Sequence, residues 1–283
     1  MSKRSISRSE FEAIVETYDP LPSEAFDPND RRYRRPINYL LKNKGRFWQT
    51  LRVAFNYFPK GNLTVADLGT YPGTLLRLLN AAVEPGRLEM YGVGLMISED
   101  FRETISAECS AQILTVNLDP RNDQLRDKGY PIKVPLEDSS IDFIFALEII
   151  EHMVSPSHLL GEAFRICKPG GHILLTTPNV TRIGNVFKLL VGISNFDRLI
   201  DPDYIDPDDE WRPHFREYTL DEVHRCLSAA GFQTRHKLHS VMNDTRFNVS
   251  GLGQRIIDLL KIPFYLAPHL RDSLLVVAQK PEE

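Results

Sequence analysis

Between Leu63 and Thr177, apolar runs of strand length alternate with stretches whose apolar residues fall at helical spacing. The runs are Leu63 to Leu68, Glu89 to Gly94, Ile113 to Asn117, Ile141 to Leu147 and His172 to Thr177; helices are expected from Gly73, near Asp100 and near Ser157. Strand and helix in such alternation mean βαβ units and a mostly parallel sheet covered on both faces. Gln233 to Met242 and Ser273 to Lys280 read as two last strands. The fold expected is therefore α/β, a doubly wound seven-stranded sheet.

The flanks are less regular. Residues 1 to about 34 are polar, carry the basic cluster Arg31, Arg32, Arg34 and Arg35, and predict a loosely packed arm. From Pro36 to Phe58 the apolar residues Phe47, Leu51, Ala54, Phe55 and Phe58 predict one helix, which Lys60-Gly61 stops. Thr219 with Glu222 forms a capping box, and Gly231 sits where such a helix ends. The segments at about 180–218 and 243–270 fit neither the strand rhythm nor a tight loop, so they are assigned to helical cap insertions over the ligand edge. The expected division is an arm and helix over 1–60 and one domain over 61–283.

Composition narrows the class. With 283 residues, 34 Lys+Arg against 38 Asp+Glu and 42% hydrophobic residues, the chain can bury a sizeable core. A net charge of −4 argues against coating nucleic acid through bulk charge. The three scattered cysteines, Cys109, Cys167 and Cys226, form neither a disulfide framework nor a CxxC site, which points to a reducing, cytoplasmic setting. Glu10 and Glu12 interrupt the amino-terminal stretch before a secretory signal could form, and no apolar run reaches the roughly 18 residues of a membrane span. Ile256 to Leu270 is apolar but broken by Lys261, Pro263 and Pro268, so it suits contact with a hydrophobic surface rather than a crossing.

The segment from Val65 to Thr74 puts the acid Asp67 at the end of a buried strand, then a glycine-bearing turn, then a helix start. Gly69 and Gly73 allow close backbone approach there, and the Asp67 carboxylate orients the turn or receives a ligand amine. The same glycines would also serve a purely structural strand-to-helix connection.

This turn resembles motif I of the class I S-adenosylmethionine-dependent methyltransferases, and residues 61 to 280 follow that family's order. The second strand ends at Tyr91-Gly92-Val93-Gly94, Asn117-Leu118-Asp119 follows the third, PLEDSS (135–140) leads into IDFIFALE, and Lys168-Pro169-Gly170-Gly171 precedes the fifth. The segments EIIEHM, RICKPGG and HFREYT are most similar to ubiquinone-pathway O-methyltransferases and to methyltransferases of polysaccharide and natural-product clusters. The resemblance implies a Rossmann-like methyltransferase fold and S-adenosylmethionine as cofactor. It places Asp67, Gly69, Thr70, Tyr71 and Gly73 around the methionine part, Gly94, Leu95, Asn117, Leu118 and Asp119 around the adenosine, with Leu147 also at the cofactor. Two positions depart from the family. Tyr71 replaces a usual third glycine, and Gly94-Leu95 stands where an acid usually holds the ribose, a place that Glu99 or Asp100 would have to fill.

For the acceptor, Glu148, Glu151 and His152 are spaced i, i+3, i+4, so a helical turn after the fourth strand would gather them on one side. His214 precedes the capped helix and is expected to fold back over the cleft. Two carboxylates and two imidazoles suit a divalent ion that activates a substrate hydroxyl. The set resembles the metal site of small-RNA terminal 2′-O-methyltransferases, but the same Glu-His pair also occurs in family members that need no metal. Without an ion, His152 or His214 is the expected general base. Arg216 is expected either to hold the acceptor or to tie the capped helix to the sheet, and Tyr218 to do the second. The acidic stretch from Asp201 to Glu210 reads as a solvated lip that repels phosphate backbones, and the apolar residues Phe187, Leu189, Leu190, Val191 and Ile193 read as packing with Ile256 to Leu266 in a second small core or lining a lipid-like acceptor's channel.

The leading expectation is O-methylation of a hydroxyl on a small-molecule, natural-product or glycan acceptor. The alternatives are a metal-dependent 2′-O-methyltransferase of an RNA terminus, a catalytically inactive cofactor-binding protein on the same scaffold, and, furthest out, a dehydrogenase.

Overall fold

A computed structural model describes residues 6–24, 38–95, 97–122, 129–195, 214–241 and 266–283. Seven strands form one sheet: β1 (Leu63–Leu68), β2 (Leu88–Gly94), β3 (Gln112–Thr115), β4 (Ile141–Leu147), β5 (Cys167–Pro178), β6 (Gln233–Ser240) and β7 (Ser273–Gln279), in the order β3-β2-β1-β4-β5-β7-β6. The first five pair in parallel, and β7 runs antiparallel between β5 and β6. The order turns back on either side of β1 and β4, which opens a crevice at their carboxyl ends, where ligands bind in sheets of this kind.

The helices are α1 (Arg8–Glu16), α2 (Tyr39–Lys42), α3 (Lys44–Ala54), α4 (Thr74–Ala82), α5 (Glu99–Cys109), α6 (Pro156–Ile166), α7 (Ile183–Leu190) and α8 (Leu220–Ala229). Strand residues alternate between two cores. Val65, Phe143, Phe145 and Leu174 face a cluster with Phe11, Leu51, Leu76, Leu79 and Ile105 from α1, α3, α4 and α5. Ala66, Ile144, Ala146 and Leu175 face a second cluster with Leu160, Ile166, Val223 and Leu227 from α6 and α8. Burying each Val, Leu, Ile or Phe side chain among them contributes about 1.5–3 kcal/mol, so both faces must be covered. The fold is the doubly wound sheet that the sequence predicts.

Two details of the amino-terminal region differ from the sequence expectation. The arm is not loose over its described part. Ser7 caps α1 in a capping box with Glu10, and Phe11 is fully buried. The helix expected over Pro36–Phe58 is broken at Asn43, whose Nδ2 donates back to the Tyr39 carbonyl at 2.9 Å, while Asn38 caps α2 by accepting from the Leu41 amide. Asn competes with the backbone through such local bonds, which is why it interrupts helices. The basic cluster Arg31–Arg35, the acidic stretch Asp201–Glu210 and most of the segment at 243–270 lie outside the described residues. No helix among the described residues is long and apolar enough to cross a membrane.

Candidate active site

The turn after β1 folds across the end of β2. The amides of Gly69 and Thr70 both donate to the Val93 carbonyl, at 2.8 and 3.1 Å, and Gly73 donates to Thr70 at 2.7 Å before α4 begins. Gly69 and Gly73 have φ of 93° and 94°. A side chain at Gly69 would also meet Ile149 Cδ1 at 2.9 Å, so both the conformation and the space call for glycine. The Tyr71-Pro72 peptide is cis. The Tyr71 ring, which takes the place of the third glycine, is half exposed and leans on Phe101 with centroids 5.4 Å apart, so it does not block the turn.

A crevice lies over this turn, lined by Asp67, Gly69, Thr70, Tyr71 and Leu147 from the predicted set and by Pro72, Thr74 and Leu75 beside them. Its other wall is Tyr39, Arg46 and Phe47 from α2 and α3, which the sequence reading did not place at the site. The sequence signal for Arg46 is weak: it is one of three cations on α3, beside Lys44 and Arg52, with Gln49 and Thr50 on its own face. Asp67 is 3% exposed, and burial pushes its carboxyl up to about 7. A buried acid at the floor of a glycine-lined crevice is suited to a ligand ammonium, which would restore its charge. Arg46 Nε is buried without a hydrogen-bond partner, a donor left for an incoming acceptor. These residues fit the amino-acid end of S-adenosylmethionine.

The predicted adenosine residues lie further along the same edge, and several hold the fold. Both Asp119 oxygens accept backbone amides, Val154 at 2.9 Å and Ser155 at 3.1 Å, which fixes the chain entering α6. Asn117 Oδ1 accepts the Asp119 amide at 2.9 Å, and Leu118 is buried in the second core cluster. The Gly94 carbonyl accepts the Val116 amide at 2.8 Å, and Leu95 follows it, partly exposed. Ser98 caps α5, so Glu99 and Asp100 occupy its first turn rather than a loop, and Glu99 stands 3.3 Å from Arg102.

The chain leaving β4 carries the acceptor-side residues. The amide of Glu148 donates to the Thr176 carbonyl at 2.9 Å and its φ is 51°, after which Ile150–His152 forms one 3-10 turn. This geometry replaces the α-helical turn expected from the spacing, so the four predicted ligands do not converge. Glu151, His152 and His214 do, with one ligand atom from each within 4.8 Å of the others. Glu148 instead faces Arg46, with 3.6 Å between Oε2 and Nη1.

His214 is brought back as expected. The Glu151 carbonyl accepts the amides of Phe215 at 2.8 Å and Arg216 at 3.3 Å, and the His152 and His214 rings meet edge to face with centroids 4.7 Å apart. Glu151 is 1% exposed and accepts from Thr177 Oγ1 at 2.9 Å, while its Oε1 is buried without a partner. Burial, reinforced by the nearby Glu148 charge, holds its carboxyl well above the usual range. One carboxylate and two imidazoles, with an unpartnered carboxylate oxygen among them, fit a divalent ion such as Mn²⁺ or Zn²⁺. Behind His214, Glu217 Oε1 lies 3.6 Å from Nδ1; burial alone would raise this carboxyl, but His214, Arg182 and Asn185 outweigh it and hold it low.

The remaining expectations divide. Tyr218 is buried and bridges to Asn179, tying α8 to the sheet, whereas Arg216 pairs with Glu222. Phe187, Leu189, Leu190, Val191 and Ile193 are more than half exposed, and the residues from Ile256 to Tyr265 with which they are expected to pack lie outside the described residues.

Comparisons with known proteins agree with this fold. A family model described as a methyltransferase domain matches residues 27–237. The malonyl-[acyl-carrier protein] O-methyltransferase of a Marinomonas species is 27% identical over 135 residues, 46% of this chain and 44% of that protein. The sterol 24-C-methyltransferase of Schizosaccharomyces pombe is 35% identical over 65 residues, 23% of this chain and 17% of that protein. The chain thus spans less than half the length of either curated relative. In fold, an S-adenosylmethionine-dependent methyltransferase from Mesorhizobium loti superposes with a TM-score of 0.51 at 17% identity, covering 85% of this chain and all of the other.

Proposed function

Because the chain belongs to the methyltransferase-domain family, we propose that it transfers the methyl group of S-adenosylmethionine to a hydroxyl oxygen of a small-molecule, natural-product or glycan acceptor. The observation that carries the choice of oxygen is the edge-to-face pair of His152 and His214 at the carboxyl end of β4. A hydroxyl must lose its proton as it attacks, and imidazole titrates nearest working pH.

When bound, the cofactor supplies a methyl group on a sulfonium, open to in-line displacement. Around it, Gly69 would let the backbone approach, Asp67 would meet the ammonium and Arg46 the carboxylate. On the acceptor side, Glu217 beside His214 Nδ1 favours the tautomer that carries its proton there, which leaves the other ring nitrogen to accept. His152 borders the same space and orients the hydroxyl. In-line geometry of this kind supplies much of the rate by positioning alone.

A second reading is favoured by the Glu151 oxygen that lacks a partner. Glu151, His152 and His214 would hold a divalent ion, which lowers the pKa of a coordinated hydroxyl and replaces the histidine base. The exposed apolar residues of α7 support a lipid-like acceptor as one member of the class.

Calorimetry with S-adenosylhomocysteine, with and without Mn²⁺, tests the cofactor and the ion together, and formation of S-adenosylhomocysteine over a panel of hydroxyl acceptors tests the reaction. Saturable nucleoside binding and acceptor-dependent product are expected. Binding without product from any acceptor would favour the inactive scaffold, and no binding at millimolar nucleoside would overturn the proposal.

A further inference from the structure

Arg46 and Glu148 form a pair that is loosely made on both sides. Arg46 is 7% exposed; its Nη2 donates to the Tyr39 hydroxyl at 2.7 Å, its Nη1 stands 3.6 Å from Glu148 Oε2, and its Nε has no hydrogen-bond partner. Glu148 Oε1 is buried and likewise has none. A guanidinium meets a carboxylate best through two parallel hydrogen bonds, and this contact makes neither at full strength. The pair also spans two places. Arg46 lines the crevice over the glycine turn, while Glu148 opens the turn that carries Glu151 and His152.

We propose that Arg46 is a positioning residue that couples the crevice to the Glu151–His152–His214 cluster: a ligand carboxylate taken by the guanidinium releases Glu148, which then supplies the cluster with a further oxygen ligand for a divalent cation. The inference rests on the reading of the cluster as a cation site. The exchange follows from ordinary chemistry. An amino-acid carboxylate brings two oxygens in the geometry that the guanidinium fork prefers, and it displaces a single contact at 3.6 Å. Glu148, whose Oε1 is buried and unpartnered, is then a carboxylate without its cation, and a divalent ion shared with Glu151 takes up that oxygen. Nucleoside and cation therefore bind cooperatively, and the coupling is the same whichever binds first.

The test is a calorimetric titration of Mn²⁺ into the protein alone, with saturating S-adenosylhomocysteine, and with saturating 5′-methylthioadenosine, which has the nucleoside but no carboxylate. Mn²⁺ affinity is expected to rise about tenfold with S-adenosylhomocysteine and not with 5′-methylthioadenosine. In Arg46→Met, Glu148 is free from the outset, so Mn²⁺ affinity is high without nucleoside and insensitive to it; Arg46→Lys keeps a reduced coupling. Should Arg46→Met fail to fold, Glu148→Gln must bring the Mn²⁺ affinity measured with S-adenosylhomocysteine down to the level seen without it. Equal Mn²⁺ affinity with and without S-adenosylhomocysteine, an equal gain from 5′-methylthioadenosine, or no Mn²⁺ binding at all would each overturn the coupling. Absence of any heat from S-adenosylhomocysteine before metal is added would instead bring down the cofactor reading itself.

Discussion

The rings of His152 and His214 meet edge to face at 4.7 Å, and what joins them is the Glu151 carbonyl, which accepts two amides of the segment that carries His214. One histidine comes from the turn after β4 and the other from the chain leading into α8. His214→Ala and His152→Ala are each expected to lower turnover by about 10²–10⁴-fold, the usual contribution of a positioned general base or its partner. Affinity for S-adenosylhomocysteine should stay unchanged, because neither ring lines the nucleoside crevice. Single-turnover product formation checks the first and calorimetry the second; a variant that keeps the wild-type rate removes that ring from proton transfer.

Asp67 gives nucleoside binding a pH dependence. Its carboxyl is raised from 3.8 to about 7 by burial, so in the ligand-free protein it is protonated below about pH 7. A ligand ammonium favours the ionised form, so binding expels a proton there and tightens by up to about tenfold per pH unit as pH rises toward 7, then levels off. Titrations in two buffers of different ionisation enthalpy count that proton. Asp67→Asn should bind more weakly at pH 8 and lose the slope.

Glu24 anchors the amino-terminal region to α4. Its buried carboxylate accepts from the Tyr18 and Thr74 hydroxyls and from Arg77 Nη1 at 2.5 Å, and Ser23 Oγ donates to the Pro72 carbonyl at 3.1 Å. Replacing Glu24 with Ala removes the buried partner of Arg77, Tyr18 and Thr74 while Arg77 keeps Glu108 at 2.6 Å, and it is expected to destabilise the protein by about 1–3 kcal/mol, read from urea unfolding. A loss below about 1 kcal/mol would show that the network holds without it.

His172 should make the fold acid-sensitive. Burial lowers its pKa from 6.5 to about 4, where it packs beside Tyr57 and Phe143. The folded protein therefore resists protonation that the unfolded chain accepts. Its stabilising contribution is fully present above pH 6.5 and is lost progressively as pH falls toward about 4. The ring is partly exposed, so the loss is put at about 1–2 kcal/mol, below the full value of the shift. Unfolding midpoints measured across this range should fall in the native protein and flatten in His172→Phe.

Much of this architecture was legible in the sequence because it rests on local patterning. β1 and β4 have the bounds that their apolar runs predict, and the capping box at Thr219 and Glu222 begins α8. Ser7 and Glu10 carry the same signal for α1, and it was masked by the polarity of the surrounding arm. Where backbone dictates the local geometry, Asp67, Gly69 and Thr70 come together along one crevice, as their order in the chain leads one to expect. Spacing is not enough where a tertiary partner decides. Spacing alone put Glu148 with Glu151 and His152, but a left-handed residue and a 3-10 turn aim it at Arg46, which comes from a helix far away in the chain. Asp119 has a structural task that spacing does not show: its two oxygens accept the amides of Val154 and Ser155.

The antiparallel placement of β7 sets an order of assembly. β6 reaches the sheet only through β7, although it precedes β7 in the chain. On a ribosome, the outer edge of β5 is thus left open while β6 and the chain beyond it are made, exposing a strand rich in Ile and Leu to other nascent chains. Once β7 arrives, it closes the edge of β5 and admits β6 together, so the last part of the sheet forms by long-range pairing, the slowest kind of contact to make.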